Sequence, residues 1–523
     1  MKLGYRIVTV GLVSLSIAVA FQGASASAAT TISVATYGAQ CDGSADDTAA
    51  IQSALNAAAA AGGGTVILPG STCLLNSFSP SSYAAAFYNL HLPSGVTLQG
   101  VIGSKLLQGP GGRQSISNVP GVTSISNTVL TVGNNYTNIR FQGGDNGGFY
   151  SLQAMILGSP SVTLATAAQA ANFAAGDYVA IYQYTTGDVL PAQMSQVTGV
   201  DVASGQLTLA DPVIRPFATP SIAKVTRLAA HDIAINSVIV EGALPLAVSE
   251  TFNFSASNDQ FLSDTSIGGG NVNELLLNTV EHFTFAGNTI AAINGPYIHQ
   301  ELCQRDSQNG VWTGNTFQDT AVSFGEYAAN ITMTNNHIFL HPDGTGIGVS
   351  LGGMDVLFDG NDVHTMGDQT GGSGWGFIVA DVYAPANYYA YKGNIQITNN
   401  TIQCVADGNN CLLLVGNGTT ASGNTITATG WATGINAVSS AQITNNTINI
   451  GSGTGIFLQP WVNAATVAGN TLSGTGPFGI YVADPPTPAS GGLLIQNNTM
   501  QGFARRLYVN LSLQRGAILS NNH

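Results

Sequence analysis

The chain has 523 residues, a formal net charge of −14 and a charged share of 8%, against about 25% in typical soluble proteins. So few charges beside 44% hydrophobic residues exclude an intrinsically disordered chain and a coiled coil, whose e and g positions need charge. The lack of clustered Lys and Arg excludes a nucleic-acid partner, and the 64 glycines favour a β-rich fold with many tight turns.

Residues 1–28 have the pattern of a secretory signal peptide. Lys2 and Arg6 precede an apolar stretch over 7–21, and small residues follow it. The stretch is shorter than a bilayer-spanning helix requires, and no later apolar run reaches that length. We therefore expect a secreted or periplasmic protein without a membrane span once the signal peptide is removed.

The segment 33–75 predicts a short helix at the start of the mature chain. One of the residues Asp-Asp-Thr at 46–48 caps the helix, and Ile51 and Leu55 give it an apolar face. Three glycines at 62–64 end it. A helix of this kind can cover the open end of a solenoid, so we interpret the Asp pair as a cap rather than as a catalytic dyad.

The same segment, SVATYGAQCDGSADDTAAIQSALNAAAAAGGGTVILPGSTCLL, resembles the entry motif of the pectate-lyase-like superfamily, particularly its rhamnogalacturonase and epimerase-type members. The resemblance implies a right-handed parallel β-helix that acts on polysaccharides. The Gly-His-Gly and Asn-Thr-Asp motifs of polygalacturonases are missing from the repeats. No catalytic residue is therefore carried over, and the resemblance does not establish pectin as the substrate.

The region 144–231 interrupts the pattern of the chain. It contains GDYVAIYQY, GQLTLADPV and IAKVTRL, which read as strands of a small inserted β module. We expect this module beside the coils, where it can wall a cleft. The predicted organisation is a signal peptide at 1–28, a cap with the first coils at 29–143, the module at 144–231 and the main β-helix at 232–523.

A repeated phrase dominates the rest of the chain: an alternating apolar run, then Gly-Asn or Asn-Asn, as in FTFAGNTI at 283–290. Its period of about 24 residues predicts a solenoid, and period-2 strands rich in Ile, Val and Thr predict a parallel β-helix. Asn tolerates left-handed turns and can hydrogen-bond along a stack of identical side chains. The second residues of these pairs are Asn288, Asn315, Asn336, Asn361, Asn400, Asn424, Asn446, Asn470, Asn498 and Asn522.

A second strand follows many of these turns. Alternate residues in it should point into the core, and the intervening residues should form an external ladder. The predicted inward pairs are Ile347 and Val349, Ile456 and Leu458, and Ile480 and Val482.

The five cysteines suit an exported protein. Cys404 and Cys411 flank a short polar loop and predict one disulfide, and Cys41 and Cys73 allow a second. Cys303 is then left over. No C-x-x-C pair supports metal binding by these residues.

The predicted catalytic groups are Glu301, Glu326 and Asp381. Glycoside hydrolysis needs two carboxyl groups about 5 to 9 Å apart, and side chains on neighbouring or next-nearest coils have such separations. Glu301 and Glu326 are about one coil apart, and Asp381 is two coils further. We predict Glu326 as one member of the pair and Glu301 or Asp381 as the other.

Polar and aromatic residues around these carboxylates predict a sugar-binding cleft, since aromatic faces stack on sugar rings. The alternative is that the residues form a solvated rim and a loop packed by its own aromatics. The predicted substrate-binding residues are His299, Arg305, His341, Asp343, Trp375, Tyr383 and Lys392. No metal ligand is predicted and no cofactor is expected, although Asp355, Asp359 and Asp362 are spaced closely enough to allow calcium.

The sequence therefore favours a glycoside hydrolase whose partner is a polysaccharide or an oligosaccharide. A polysaccharide lyase or epimerase is the main alternative, but its proton abstraction beside a uronate needs basic residues, which are scarce here. A non-catalytic surface or adhesion β-helix is the third. Because no capping helix follows the last Asn turn before His523, we expect either the last residues or a second copy of the chain to cover that edge.

Overall fold

The computed structural model describes residues 30–523 with internal gaps. The segments outside it are 1–29, 80–87, 114–127, 134–143, 146–147, 186–187, 215–219, 265, 267–274, 295–300, 306, 319–320, 325–327, 341–348, 366–375, 381–393, 406–409, 417, 461, 463, 484–491 and 510–516. Among the described residues, none of the helices has the length and hydropathy that crossing a bilayer requires.

The chain winds into a parallel β-helix with three strand-bearing faces around one continuous apolar core that runs from Val34 to Val509. Sheet 1 and sheet 2 are joined into one 26-stranded sheet by two long strands that bend from one face to the other. The two shared strands are Leu244–Ser257 and Leu275–Ala286.

Each sheet takes one strand from nearly every coil. Sheet 1 further contains Tyr88–Leu92, Thr128–Val132, Glu301–Arg305, Ala321–Phe324, Val349–Leu351, Gly376–Ala380, Asn410–Leu414, Thr433–Ala437, Thr454–Leu458, Phe478–Val482 and Arg505–Val509. Sheet 2 further contains Thr30–Ser33, Gly64–Ile67, Val96–Gln99, Ala230–Asn236, Gln308–Thr313, Ala329–Thr334, Met354–Asp359, Ile395–Thr398, Thr419–Ser422, Ala441–Thr444, Ala465–Ala468, Leu493–Gln496 and Ala517–Ser520. Sheet 3 contains Thr72–Leu75, Lys105–Gln108, Ile239–Gly242, Gln260–Asp264, Thr289–Ile293, Thr316–Gln318, His337–Leu340, Asp362–Thr365, Thr401–Val405, Thr425–Thr429, Thr447–Ile450, Thr471–Gly474 and Thr499–Gln501.

The repeated Asn residues form the predicted stack between sheets 2 and 3. From Asn315 onward, each Asn Oδ1 accepts hydrogen bonds from the backbone N–H and the Nδ2 of the Asn one coil earlier, at 2.8 to 3.3 Å. The residue before each is Gly or Asn with a positive φ, because the turn needs a left-handed conformation. We call this stack, from Asn288 to Asn522, the Asn ladder.

The helix Thr48–Ala60 covers the N-terminal end of the solenoid. The N-cap residue is Asp47, one of the three predicted positions, but its side chain makes no capping hydrogen bond. Asp46 Oδ1 instead accepts hydrogen bonds from the N–H and hydroxyl of Thr48, the first residue of the helix. Ile51 and Leu55 are buried in the core as expected. Short 3-10 helices in the described part of the chain lie at Val34–Tyr37, Pro110–Gly112 and Ala167–Asn172.

The interrupted region folds as a six-stranded antiparallel sheet beside the coils. Tyr178 of this inserted sheet packs on Phe252 of the β-helix, with ring centroids 4.3 Å apart. The strands, in spatial order, are Tyr150–Ser151, Pro220–Lys224, Tyr178–Thr185, Asp188–Asp201, Gln206–Leu209 and Ser161–Thr163.

Several local predictions are confirmed. Disulfides join Cys41 to Cys73 and Cys404 to Cys411; of Cys303, only the backbone is described. The predicted inward residues within the described part of the chain are buried, namely Val349, Ile456, Leu458, Ile480 and Val482. Ile347 lies outside the described residues.

The last described strand, Ala517–Ser520, pairs with Leu493–Gln496 on one side, and Ile518 on it is exposed. Self-association through this edge stays a prediction.

Candidate functional site

All ten predicted site residues lie outside the part of the chain whose side chains the structure describes. For Glu301 and Arg305 the backbone is described: Glu301 lies beside Ala321 and Arg305 beside Asn278 in sheet 1. The remaining predicted residues are outside the described residues altogether; they are His299, Glu326, His341, Asp343, Trp375, Asp381, Tyr383 and Lys392. The predicted carboxylate pair therefore stays a prediction.

The three aspartates considered for calcium each bond to neighbouring side chains. Asp355 accepts a hydrogen bond from the side chain of Asn394, and Asp359 accepts two from Thr398 and Asn399. Asp362 pairs with His364, at 2.7 Å.

A different polar cluster lies one coil before Glu301, where the inserted sheet meets the β-helix. It consists of Asp211, Glu281, His282 and Asn309, and we call it the junction cluster. Asp211 follows the strand Gln206–Leu209 of the inserted sheet, and the other three residues come from two adjacent coils of the β-helix.

The local backbone of the β-helix brings these side chains together. His282 has φ 52° and Asn309 has φ 53°, so the chain bends at the same place in both coils as it passes from sheet 1 to sheet 2. Asn tolerates this left-handed conformation well, and His more readily than bulky residues do. The bend exposes His282, whereas the preceding residue, Glu281, lies buried beneath the inserted sheet.

Hydrogen bonds connect all members of the junction cluster. His282 Nε2 lies 2.8 Å from Asp211 Oδ1 and 3.7 Å from Glu281 Oε1. Asn309 Nδ2 donates to Glu281 Oε1 and to Asp211 Oδ1. The Ser195 hydroxyl donates to Asp211 Oδ2 at 3.2 Å, so the inserted sheet holds this carboxyl group from the opposite side.

Both ionisable neighbours of Asp211 have a raised pKa. Burial, assisted by the charge of Asp211, raises the pKa of Glu281 to about 8, so its carboxyl group is mostly protonated at pH 7. The hydrogen bond to Asp211 raises the pKa of His282. Glu281 is 1% exposed, whereas the side chains of Asp211 and His282 are 13% and 44% exposed.

The junction cluster can therefore exchange protons, because the mostly protonated carboxyl group of Glu281 and the imidazole of His282 lie beside the carboxyl group of Asp211. One oxygen from each of Asp211 and Glu281 and a nitrogen of His282 lie within 4.8 Å of one another. Such a set can hold a metal ion only with Glu281 deprotonated and with a free nitrogen on a neutral His282 imidazole.

One feature of the sequence indicates this cluster. Glu281 and His282 are adjacent in LLLNTVEHFTFAG, an otherwise uncharged strand of the repeat. Asp211 gave no such signal, because it lies in the inserted region, 70 residues earlier.

A family model described as a right handed beta helix region matches residues 383–522. Together with the three parallel sheets, this match confirms the right-handed parallel β-helix expected from the resemblance to the pectate-lyase-like superfamily. No curated protein matches the chain in sequence.

Several solved structures are similar over most of the chain. The tailspike protein gp49 from Pseudomonas phage LKA1 has 13% identity and a TM-score of 0.48, covering 90% of this chain and 84% of that one. The A-module of the mannuronan C-5 epimerase AlgE6 from Azotobacter vinelandii has 15% identity and a TM-score of 0.40, with coverages of 94% and 98%. PfbA, a surface adhesin of Streptococcus pneumoniae, has 14% identity and a TM-score of 0.43, with coverages of 90% and 91%. These similarities are too low to transfer an activity or a ligand.

Proposed function

We propose that this protein is an extracytoplasmic carbohydrate-active enzyme that cleaves glycosidic bonds by hydrolysis. The observation that carries the proposal is the pair of carboxyl groups in the junction cluster. An oxygen of Asp211 and an oxygen of Glu281 lie no more than 4.8 Å apart, and retaining glycosidases hold their two carboxyl groups about 5 Å apart. Their surroundings differ: Glu281 is buried, and Asp211 accepts hydrogen bonds from Ser195 and Asn309 and pairs with His282.

In this proposal Glu281 is the general acid, since burial keeps its proton on at neutral pH. Asp211 stabilises the positive charge that develops on the sugar, or forms the glycosyl intermediate. Glu281 is 1% exposed, so His282, its exposed neighbour, must turn aside when a glycan binds. Exposed side chains change rotamer within nanoseconds, so this movement does not limit turnover.

One observation favours a lyase or epimerase as the second candidate. The exposed imidazole of His282 is held by a carboxylate, which is the arrangement that orients a histidine for proton transfer. After losing its proton, His282 would abstract the proton beside a uronate carboxyl group.

The test compares two carboxylate pairs in the full-length protein against a panel of polysaccharides. Glu281→Gln and Asp211→Asn remove the junction carboxylates, and Glu326→Gln and Asp381→Asn remove those predicted from the sequence. Asp355→Asn is the matched control, because Asp355 has the same bend conformation as His282 several coils away.

We expect the junction variants to lose at least 100-fold in kcat, with the control unchanged and new reducing ends as the product. Loss of activity only in the Glu326 and Asp381 variants would assign the active site to those two residues instead. Unsaturated, ultraviolet-absorbing products would favour the lyase. Undiminished turnover in all four variants would contradict both pairs, and glycan binding without turnover would indicate an adhesion protein. Cell fractionation checks the location.

A further inference from the structure

The outer surface of sheet 1 near the C-terminus carries four aromatic side chains, Phe457, Phe478, Tyr481 and Tyr508, which we call the aromatic ladder. In register, Phe457 lies beside Tyr481 and Tyr481 beside Tyr508. Ring centroids are 5.2 Å apart in the first pair and 5.3 Å apart in the second. Phe478 stacks on Tyr481 at 4.8 Å.

The core of the β-helix does not require these rings. Ile456 and Ile480, their neighbours in the same strands, are fully buried and fill the interior, whereas the four aromatic residues are half-buried on the outside. Equivalent outward positions in other coils hold Ala247 and Asn436, so coil stacking does not demand an aromatic residue there. Four partly exposed aromatic rings on three adjacent coils form a continuous apolar surface.

Two arginines lie at the edge of this surface. Arg505 and Arg506 are both exposed, and the Arg505 guanidinium lies 5.9 Å from the centre of the Tyr508 ring. The chain has 13 basic residues and a net charge of −14, so two adjacent exposed arginines mark a local reversal of charge. A guanidinium group pairs with carboxylate and sulfate groups.

We propose that the aromatic ladder with Arg505 and Arg506 is a second glycan-binding surface, and that its ligand is an acidic polysaccharide. The rings contact the apolar faces of the sugars, and the arginines bind their carboxylate or sulfate groups. The surface lies seven sheet-1 strands beyond the junction cluster, which is about 34 Å at 4.8 Å per coil. The proposal of this second surface rests on the proposed function only for the class of ligand, a polysaccharide.

The length of the ligand follows from this distance. A polysaccharide that spans both surfaces binds through two contacts at once, and the second contact forms at high effective concentration. A disaccharide gains no affinity from simultaneous binding, because it cannot reach both surfaces at once.

The experiment measures binding rather than turnover, so a failed proposal for catalysis leaves it interpretable. Full-length protein with Glu281→Gln is titrated by calorimetry with polygalacturonate and, separately, with neutral dextran. Tyr481→Ala removes the central ring, and Arg505→Gln with Arg506→Gln removes the charge without touching the core. Trp431→Ala is the matched control, because Trp431 is an exposed aromatic residue outside the ladder.

We expect polygalacturonate to bind more weakly as salt rises, and Tyr481→Ala to weaken binding at least tenfold. The double arginine variant should bind more weakly and with a flatter salt dependence, and Trp431→Ala should remain within twofold. Binding of dextran alone, equal affinity in the arginine variant, or a dimer that the arginine variant abolishes would each overturn the proposal. If Tyr481→Ala lowers the melting temperature, its weaker binding could reflect partial unfolding, and the double arginine variant alone then tests the proposal.

Discussion

Asp259 occupies the position of the Asn ladder one coil before Asn288, and its protonation should control the stability of the solenoid. Its Oδ1 accepts the Val238 N–H, and its own N–H donates to Asn288 Oδ1. In the ladder, Asn288 Nδ2 donates to the Ala256 carbonyl and to Asn315 Oδ1. The corresponding atom of Asp259, Oδ2, is buried and has no hydrogen-bond partner among the described residues. Protonation would turn this oxygen into a donor.

The size of the effect on the free energy of unfolding follows from the pKa of Asp259. Burial raises the pKa of Asp259 from 3.8 to about 7, a change that corresponds to about 4 kcal/mol. The folded-state pKa lies above the unfolded one. The stability associated with the protonated carboxyl group is therefore fully present below pH 3.8 and is lost as the pH rises to about 7. The group therefore lowers the free energy of unfolding across this range.

The perturbation is Asp259→Asn, which cannot titrate and supplies the missing donor. We expect the variant to lie close to the natural protein in stability at pH 4 and to exceed it by up to about 4 kcal/mol at pH 8. Urea denaturation at several pH values measures the difference, and Asp355→Asn on the exposed side of the coils serves as the control. An Asp259→Asn variant with an unchanged pH dependence, or one less stable at pH 8, would refute the reasoning.

Three further variants, measured by denaturant unfolding, test the packing of the coils. Asn424→Ala should cost about 3 to 5 kcal/mol, because two buried N–H groups of the preceding ladder residue lose their acceptor; an exposed-loop Asn→Ala change is the comparison. Gly310→Ala should cost about 1 to 3 kcal/mol, because its Cβ would meet the buried Phe283 ring, and a neutral result would show that the ring can move. Replacing both Cys41 and Cys73 by Ser should cost about 4 kcal/mol, from the 32-residue separation that the disulfide closes; equal stability of the natural protein and the variant when both are reduced checks that the bond is responsible.

The architecture was predictable because its causes are local and repeated. A strand of the β-helix needs alternating apolar residues, and each turn needs a left-handed residue followed by a buried amide. Both requirements recur about every 24 residues, so the positions of the ladder from Asn288 to Asn522 could be read directly from the sequence. The capping helix was predictable for the same reason, since its cap and its apolar face lie within one short segment.

The junction cluster was not predictable, because it depends on how distant segments meet. Asp211 and Glu281 are 70 residues apart, and only the docking of the inserted sheet, through Tyr178 and Phe252, brings them together. The carboxylates predicted from the sequence all lie on coils after residue 294, whereas Glu281 lies one coil earlier. The pair predicted there, Glu326 with Glu301 or Asp381, still awaits its test.

The sequence by itself determined the β-helix, its period, its Asn ladder and its disulfides, because backbone turns and hydrogen bonds between adjacent coils depend on residue types at regular spacings. The tertiary structure alone decided which carboxyl groups hold a proton. Asp and Glu are usually ionised at neutral pH, and the pKa of Asp259 and Glu281 rises because burial removes water from them, with the charge of Asp211 adding to the effect at Glu281. Burial of that kind depends on the whole fold and not on neighbouring residues.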